Sequence, residues 1–312
     1  MQKTAKDIFM AKATSRNITP EEKVILQQGI TRSEQEIIGS VLPLEILKEI
    51  IELNKTRFNL KSLVRNLTVT YKDGMSGYSI TEGDFLEEFD GLIKEVASDK
   101  IKGISWELKK YGKIYSTPKS YVEDTEMYYD YFKNKISKIL INTENKIIYN
   151  KILEQPKHAI EIVKESSPTS IRFDLKEFFK KIISNEVEKN VYMSLNLLDE
   201  LSFISDMNGK LLITDNPLVP NGKLLCGKPI IVVPNSVFRS VNGKEILVYG
   251  DLLDSIALFE LRAKEVMSTE ETKKAFERNL IETRVIGHYD CKIISTDNFI
   301  VAEINLDPSI PV

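Results

Sequence analysis

The sequence has 312 residues, of which 42% are hydrophobic and 29% are charged, and its formal net charge is −3. A chain of this length and composition can bury a sizeable core in one large or two ordinary domains. The small negative charge excludes a global basic field, which argues against a protein that reads DNA sequence.

The cysteines and the N-terminal segment indicate where the protein is made. Cys226 and Cys291 are the only cysteines. Their separation fits neither a metal site nor a disulfide framework, which indicates a reducing compartment. The first ten residues lack the apolar stretch of a signal peptide. No run approaches the roughly 20 apolar residues of a membrane-spanning helix, so the sequence predicts no membrane contact.

The first part of the chain is polar. Residues 1–40 have few apolar positions, and Thr19-Pro20-Glu21-Glu22 is typical of a helix start. Two interpretations of this segment stay open: an extended arm that lies on another surface, or a solvated tail. Next, residues 41–51 predict a short amphipathic helix, and the alternation over residues 66–71 predicts a strand.

Residues 77–117 predict a long hairpin whose limbs carry opposite charge. Alternating apolar residues around Trp106 mark the returning strand. Residues 82–95 contain six acidic residues and one lysine, whereas residues 100–119 contain six lysines and one glutamate. Either the limbs neutralise each other in a solvated hairpin, or the hairpin projects and docks on a neighbouring subunit through complementary charge. The candidate inter-subunit contact residues are Glu87, Glu88, Lys100, Lys102, Trp106, Lys109 and Lys110.

Residues 122–154 have the longest helical period in the chain. Their apolar residues fall three or four positions apart, which predicts one continuous helix that ends before Pro156. At about 1.5 Å per residue, a helix of about 30 residues would span roughly 45–50 Å.

The remainder of the chain predicts mixed helices and strands. A helical stripe covers residues 175–183, a strand is predicted over 191–195, and a short helix over 197–204. Further strands are predicted, separated by turn signals, at 229–234, 245–249, 256–266, 280–286 and 292–304.

One segment resembles a phosphate-binding loop. Residues 222–229, GKLLCGKP, fit the P-loop pattern up to its last position, where Pro229 replaces the Ser or Thr that would hold magnesium. A P-loop is followed by a helix whose amide groups bind phosphate, but here an apolar, β-branched run follows. The segment therefore favours a turn that enters a strand over a nucleotide site.

No other residues form a catalytic constellation. His158 and His288 are the only histidines, and because neither lies in a nucleophile or metal motif, both are interpreted as structural. The acidic residues at 82–90 lack the spaced aspartates of a calcium loop, which favours a solvated face. The sequence predicts no catalytic residue, no cofactor and no metal site.

Six short segments follow one another in a recurrent order between residues 190 and 304. They are 192–201 (YMSLNLLDEL), 206–212, 224–233 (LLCGKPIIVV), 249–252 (YGDL), 276–279 and 284–289. Their order and spacing resemble the major capsid proteins of tailed bacteriophages, the family with the Hong-Kong-97-type fold. The N-terminal half agrees with that family in the order of its predicted elements.

The resemblance implies an α+β fold with four parts. These are an N-terminal arm (1–40), a P domain with a long spine helix (41–76 and 113–157, with returning strands at about 256–288), an E-loop (77–112) and an A domain (158–255 and 289–312). Since only about 40 residues precede the matching region, a fused scaffolding segment is not expected.

The resemblance also implies a function. The chain would self-assemble as hexamers and pentamers into the icosahedral head of a tailed double-stranded DNA phage, and it would not be an enzyme. It would enclose DNA without sequence-specific binding, with assembly in the host bacterial cytoplasm. Separate scaffolding, portal and decoration proteins would be further partners. Two alternatives stay open: an encapsulin-like compartment that encloses a cargo enzyme, and a cytosolic enzyme that binds a phosphate ligand at the Gly222 loop.

Overall fold

Two large β-sheets, a two-stranded ribbon and a long helix dominate the described part of the chain in the computed structural model. The structure describes residues 49–50, 52–53, 57–79, 101–121, 125–162, 175–181, 189–204, 211–217, 219, 222–240 and 243–306. The predicted N-terminal arm lies outside these residues, as do most of the predicted helix at 41–51 and the tip of the predicted hairpin. Glu87, Glu88 and Lys100 belong to that tip.

The elements within the described ranges confirm most of the predicted ones. The strands are β1 (Arg65–Val69), β2 (Asp73–Ser79), β3 (Ile101–Glu107), β4 (Lys109–Pro118), β5 (Lys157–Ile162), β6 (Asn190–Ser194), β7 (Ile213–Asp215), β8 (Lys223–Leu225), β9 (Lys228–Val233), β10 (Lys244–Gly250), β11 (Ile256–Leu261), β12 (Glu265–Thr269), β13 (Leu280–Ile293) and β14 (Phe299–Leu306). The helices are α1 (Thr125–Ile152), α2 (Leu195–Ser202) and α3 (Lys273–Arg278). A further helical segment covers residues 175–180, and 3-10 turns cover Leu60–Leu63 and Lys119–Tyr121.

A five-stranded sheet is built around β13. Along one edge, β13 pairs antiparallel with β4, from Leu280 opposite Pro118 to Tyr289 opposite Lys109. Along its other edge it pairs with β12 and then with β11. Strand β1 lies parallel to β11 at the outer side.

Strand β13 is longer than the sequence predicted. The prediction ended one strand at residue 286 and began the next at 292, whereas β13 runs unbroken to Ile293. The strand continues through Gly287 because glycine leaves room for a neighbouring ring: a Cβ there would lie 2.5 Å from Tyr289 Cε2. The predicted strand at 256–266 was also wrong in extent, because it is divided into β11 and β12 by a turn.

The second sheet has seven strands in the order β5-β14-β10-β6-β9-β8-β7. Strand β10 lies inside it, paired with β14 and β6, and residues 245–250 are all buried. Such a strand reads as a continuous apolar run because both of its faces are covered. Helix α2 begins next to this sheet, where Ser194 Oγ accepts a hydrogen bond from the Leu197 amide at 3.1 Å.

Helix α1 confirms the long helix predicted over residues 122–154. At about 1.5 Å per residue, its 28 residues span roughly 42 Å. Its buried side near the C-terminus presents Ile148 and Ile152 to one hydrophobic cluster, which also contains Leu258 of the five-stranded sheet and Val248 of the seven-stranded sheet. The core therefore joins both sheets to the helix.

Buried charged residues join the segment before β1 to α1 and to the five-stranded sheet. Glu260 on β11 accepts from Lys61 at 2.5 Å and from Lys264 at 3.1 Å. Glu144 on α1 lies 3.5 Å from Lys61 and accepts a hydrogen bond from Asn59 Nδ2 at 3.0 Å. Because buried charges destabilise a protein unless they are paired, these residues are held in one arrangement.

Candidate inter-subunit contact surface

The predicted hairpin begins as a two-stranded ribbon of β2 and β3. Its register places Gly74 opposite Trp106 and Gly77 opposite Gly103. At the base of the ribbon, the Leu108 amide donates to the Lys72 carbonyl at 2.7 Å. The Glu107 amide donates to Asp290 Oδ2 at 3.0 Å. The first bond closes the base of the ribbon, and the second attaches it to β13.

Trp106 holds the base of the ribbon on the five-stranded sheet. Its ring stacks on Phe259, with ring centroids 5.1 Å apart and an interplanar angle of 17°. The indole nitrogen donates to the Tyr71 carbonyl at 3.4 Å. The opposite strand carries Gly74 at this point, where any Cβ would clash with the indole ring. Trp106 is therefore a packing residue within its own subunit, and a contact with a second subunit stays a prediction.

The ribbon and α1 lie on opposite faces of the five-stranded sheet. Phe259 and Ala257 on β11 pack with Leu108 at the base of the ribbon. Leu258, between them, points the other way and packs with α1, as expected for alternating side chains in a strand.

The two lysines that follow the ribbon belong to the sheet. Lys109 and Lys110 are exposed residues of β4, paired with Tyr289 and His288 of β13. Buried Leu108 separates β3 from β4. The predicted basic limb is therefore two different strands: Lys102 lies on β3 in the ribbon, whereas Lys109 and Lys110 lie in the five-stranded sheet on opposite faces.

A lysine-rich groove lies between α1 and the strands β4 and β13. We call it the lysine groove; its volume is about 660 Å³. Its lining contains six lysines and two acidic residues: Lys109, Lys113, Lys135, Lys138, Lys146, Lys151, Glu154 and Asp290. Between them the lining is mixed: Tyr111, Ile139, Ile147, Val285 and Cys291 alternate with the polar side chains of Asn142, Thr143 and Asn150.

Several of these lysines have no carboxylate partner in the part of the chain that the structure describes. Lys151 pairs with Glu154 at 2.6 Å. Within the described residues, Lys109, Lys113, Lys138 and Lys146 form no ion pair. Sequence reasoning missed this groove, because α1 was interpreted through its apolar stripe alone. The lysines that recur on the opposite side of the same helix could have indicated the groove.

The groove contains no reactive thiol. Burial, aided by Asp290, raises the pKa of Cys291 to about 12, with nearby Lys151 acting in the opposite direction. A thiol with a raised pKa carries little thiolate at neutral pH and is a poor nucleophile.

The P-loop-like segment is a β-hairpin. Strands β8 and β9 pair antiparallel, and Cys226 and Gly227 connect them with φ angles of 50° and 83°. Two successive residues with positive φ are typical of a tight hairpin turn. Because a strand and not a helix follows the turn, no helix N-terminus is present to bind phosphate. The interpretation as a turn entering a strand is confirmed.

The two histidines lie far apart in the fold. His158 on β5 has Nδ1 3.1 Å from Lys181 Nζ, and burial together with Lys181 lowers its pKa. His288 on β13 is buried, which lowers its pKa, and its Nδ1 has no hydrogen-bond partner among the described residues.

The described ranges contain no group of three or more residues that could hold a metal ion. Every helix in those ranges is too short or too polar to cross a bilayer.

Comparisons with solved structures identify the fold. The capsid of an empty GTA particle is 10% identical, with a TM-score of 0.57 over 79% of this chain and 89% of that chain. A structure from Gordonia phage Cozz is 11% identical, with a TM-score of 0.53 over 80% and 86%. The holo-SrpI encapsulin complex from Synechococcus elongatus PCC 7942 is 11% identical, with a TM-score of 0.54 over 81% and 89%. The predicted α+β, Hong-Kong-97-type fold is confirmed.

The sequence itself also matches a known family. No curated protein matches the chain. The model of the Phage capsid family matches residues 39–304, which is most of the sequence. The chain therefore belongs to the Phage capsid family.

Proposed function

We propose that this capsid shell protein is the major capsid protein of a tailed double-stranded DNA phage. It self-assembles as hexamers and pentamers into the icosahedral head. The observation that carries the proposal is the family match over residues 39–304. The likeness to solved phage and GTA capsids supports it at the level of fold.

The proposed domains follow the two sheets. The P domain comprises α1 and the five-stranded sheet, and the A domain is built on the seven-stranded sheet. The sequence analysis began the C-terminal part of the A domain at residue 289. Because β13 stays in the five-stranded sheet to Ile293, we propose that this part begins after residue 293. The E-loop is the ribbon of β2 and β3 with its tip, and the arm is residues 1–40.

Assembly would rest on many modest contacts from the arm and the E-loop. Glu87, Glu88, Lys100, Lys102, Trp106, Lys109 and Lys110 are the proposed contact residues. Separate scaffolding, portal and decoration proteins would be partners in the host cytoplasm. The head would enclose DNA without reading its sequence, consistent with a net charge of −3.

The second candidate function uses the same fold. An encapsulin complex is as similar to this chain as the phage structures are. An encapsulin-like shell would enclose a cargo protein in place of DNA. Genes for a portal and a terminase beside the gene of this chain would favour the phage function, whereas a neighbouring gene for an enzyme would favour the compartment.

Particle formation and particle content test the proposal. Expressed protein, alone or with a scaffolding protein from the same source, is examined by light scattering and negative-stain microscopy. We expect multi-megadalton shells, capsomers or sheets. Shells purified from the native source should contain double-stranded DNA. A stable monomer at high concentration under both conditions would refute the shell function, and native shells filled with an enzyme would favour the compartment.

A further inference from the structure

A row of hydrogen-bond donors runs along the exposed side of α1. Its members lie three or four residues apart and line the lysine groove: Lys135, Lys138, Asn142, Lys146 and Asn150. The sequence from residue 131 to residue 151 contains a single acidic residue, Glu144. Glu144 is buried on the other side of the helix, 3.5 Å from Lys61. This side of α1 therefore offers positive charge and donors with no carboxylate between them.

Strand β4 supplies a second row on the other side of the lysine groove. Because side chains alternate along a strand, Lys109, Tyr111 and Lys113 point to the same face, and all three line the groove. At about 3.3 Å per residue, the two β4 lysines lie about 13 Å apart along the strand. At about 1.5 Å per residue, Lys138 and Lys146 lie about 12 Å apart along the helix. Two rows of similar spacing therefore flank the groove.

The composition of the groove favours a polyanion as its ligand. The lining contains six lysines and two acidic residues, whereas the whole chain has a net charge of −3. Asn142 and Asn150 add amide groups that can donate hydrogen bonds to oxygen. Lysine and asparagine side chains are typical contacts to the phosphate oxygens of a nucleic acid. An apolar peptide segment is less suitable, because polar side chains interrupt the apolar part of the lining.

The groove and the ribbon lie on opposite sides of the five-stranded sheet. Trp106 fixes the base of the ribbon against Phe259, whereas Leu258, the preceding residue of β11, packs with α1. The groove lies on the α1 side, because its lining includes Tyr289 and Cys291 of the same hydrophobic cluster. In a shell one subunit thick, a subunit that presents the ribbon side to the exterior would present the groove to the interior.

We infer that the lysine groove contacts the phosphate backbone of the packaged double-stranded DNA at the inner surface of the shell. The inference rests on the proposed phage function and names the surface of the subunit that meets the enclosed DNA. Because phosphate contacts carry no sequence information, the contact is the same for every base sequence. It releases counterions from the DNA, so it weakens as the salt concentration rises.

DNA binding at several salt concentrations tests the groove on unassembled protein. A short fluorescent DNA duplex is the probe, and fluorescence anisotropy gives the binding constant. Lys138→Gln with Lys146→Gln removes two charges from exposed helix positions, and glutamine and lysine have similar helix propensities. Each phosphate contact contributes about 0.9 to the slope of log binding constant against log salt concentration, so the slope should become shallower by about 1.8.

Lys176→Gln with Lys180→Gln is the matched control. Both lysines are exposed, lie four residues apart in the helical segment 175–180, and are outside the lining of the groove. Circular dichroism checks that both variants are folded. The control should bind the duplex with the wild-type slope. If the control and the groove variant lose the same slope, the DNA is attracted to surface lysines in general and the inference is wrong.

Assembled shells test which surface carries the groove. Closed empty shells should bind less externally added duplex per chain than unassembled protein does, because the groove then faces the interior. In DNA-filled shells from the native source, formaldehyde should link DNA to Lys113, Lys138 and Lys146, and mass spectrometry of the peptides identifies the linked residues. Equal binding by closed shells and unassembled protein, or DNA links at Lys180 in place of the groove lysines, would overturn the inference.

The failures can be told apart. If native shells contain DNA but the groove variant keeps the wild-type salt slope, the inference is wrong while the proposed function stands. If polyglutamate binds the groove and the duplex does not, the partner is an acidic protein and the inference is again wrong. If no shells form, or if native shells contain an enzyme in place of DNA, the proposed phage function fails and the inference fails with it.

Discussion

Lys264 and Glu260 form an ion pair inside the core, with Lys264 Nζ 3.1 Å from Glu260 Oε2. The other carboxylate oxygen accepts from Lys61 at 2.5 Å, so one carboxylate serves two cations. The Lys264 ammonium also lies 4.3 Å from the centroid of the Tyr289 ring. The arrangement joins β11, the turn after it, β13 and the segment that precedes β1. Its integrity therefore bears on the stability of the whole five-stranded sheet.

Replacing the shared carboxylate should destabilise the subunit strongly. Glu260→Gln leaves two partly or fully buried ammonium groups without their main counter-charge, and we expect the free energy of unfolding to fall by about 3–5 kcal/mol. Asp215→Asn is the control, because it breaks the exposed pair with Lys223 and should cost less than about 1 kcal/mol. Urea denaturation of the unassembled subunit measures both. Equal, small losses would show that the buried pair contributes no more than a surface pair.

The same carboxylate predicts sensitivity to acid. Burial alone raises the pKa of Glu260, but Lys264 and Lys61 outweigh burial and hold it below its ordinary value of 4.5. A carboxyl with a lowered pKa in the folded state stabilises the protein above its unfolded-state pKa, and this contribution is lost as the pH falls through the folded-state pKa. The wild-type free energy of unfolding should therefore drop as the pH falls below about 4.5. Over the same range Glu260→Gln should lose less, and parallel curves would contradict the assignment.

Trp106 provides an optical signal for assembly, since it is the only tryptophan. It is half-buried in the subunit, where it stacks on Phe259. If a neighbouring subunit covers its exposed edge, the fluorescence maximum should move to shorter wavelength on assembly. Spectra of subunits and particles at matched concentration measure this shift. An unchanged maximum would indicate that no neighbouring subunit covers Trp106, which would then only pack within its own subunit.

The lysines at the start of β4 should matter for assembly more than for folding. Lys109 and Lys110 are exposed, and exposed ion pairs contribute roughly 0–1 kcal/mol each. Such small terms can still shift assembly when each contact recurs throughout a shell. We expect the double reversal to glutamate to leave circular dichroism unchanged and to reduce closed shells in sedimentation. Wild-type assembly should weaken at high salt. Normal assembly of the variant at low and high salt would contradict this prediction.

Backbone strain in the turn between β8 and β9 should destabilise the subunit, whereas removal of the lysine that follows the turn should not. Lys228→Ala should leave shell formation intact, because Lys228 begins a strand and faces no phosphate site. Gly227→Val places a β-branched side chain at a φ of 83°, which should cost on the order of 1–2 kcal/mol. Thermal unfolding with and without ATP checks both variants. If ATP raises the unfolding temperature of the wild type but not that of Lys228→Ala, the segment binds nucleotide and the interpretation as a turn is wrong.

Local periodicity explains what could be predicted. The apolar spacing of α1 needs no partner to be recognised, and the predicted helix contains the observed one. Pairing between distant strands leaves no such local pattern. Lys102 and Lys109 were therefore assigned to one limb, although Leu108 divides them between two sheets.

The burial of four charged residues could not be predicted from the sequence either. Lys61, Glu144, Glu260 and Lys264 would each be taken for a solvated residue, because charged side chains are almost never fully buried unless paired. They meet only when α1 packs on the sheet. The lysine groove depends on the same packing, since α1 and β4 each supply one side of it.

The long contact between β4 and β13 has a mechanical consequence. The two strands are joined by a continuous antiparallel register from residues 109–118 to residues 280–289. A pull on the ribbon along the axis of β4 would load these bonds in shear and would have to break many of them together. Strand β13 is also bonded to β11 and β12 on its far edge, which spreads the force across the sheet. A force that stretches one subunit against the next would therefore meet a rigid connection and not a flexible hinge.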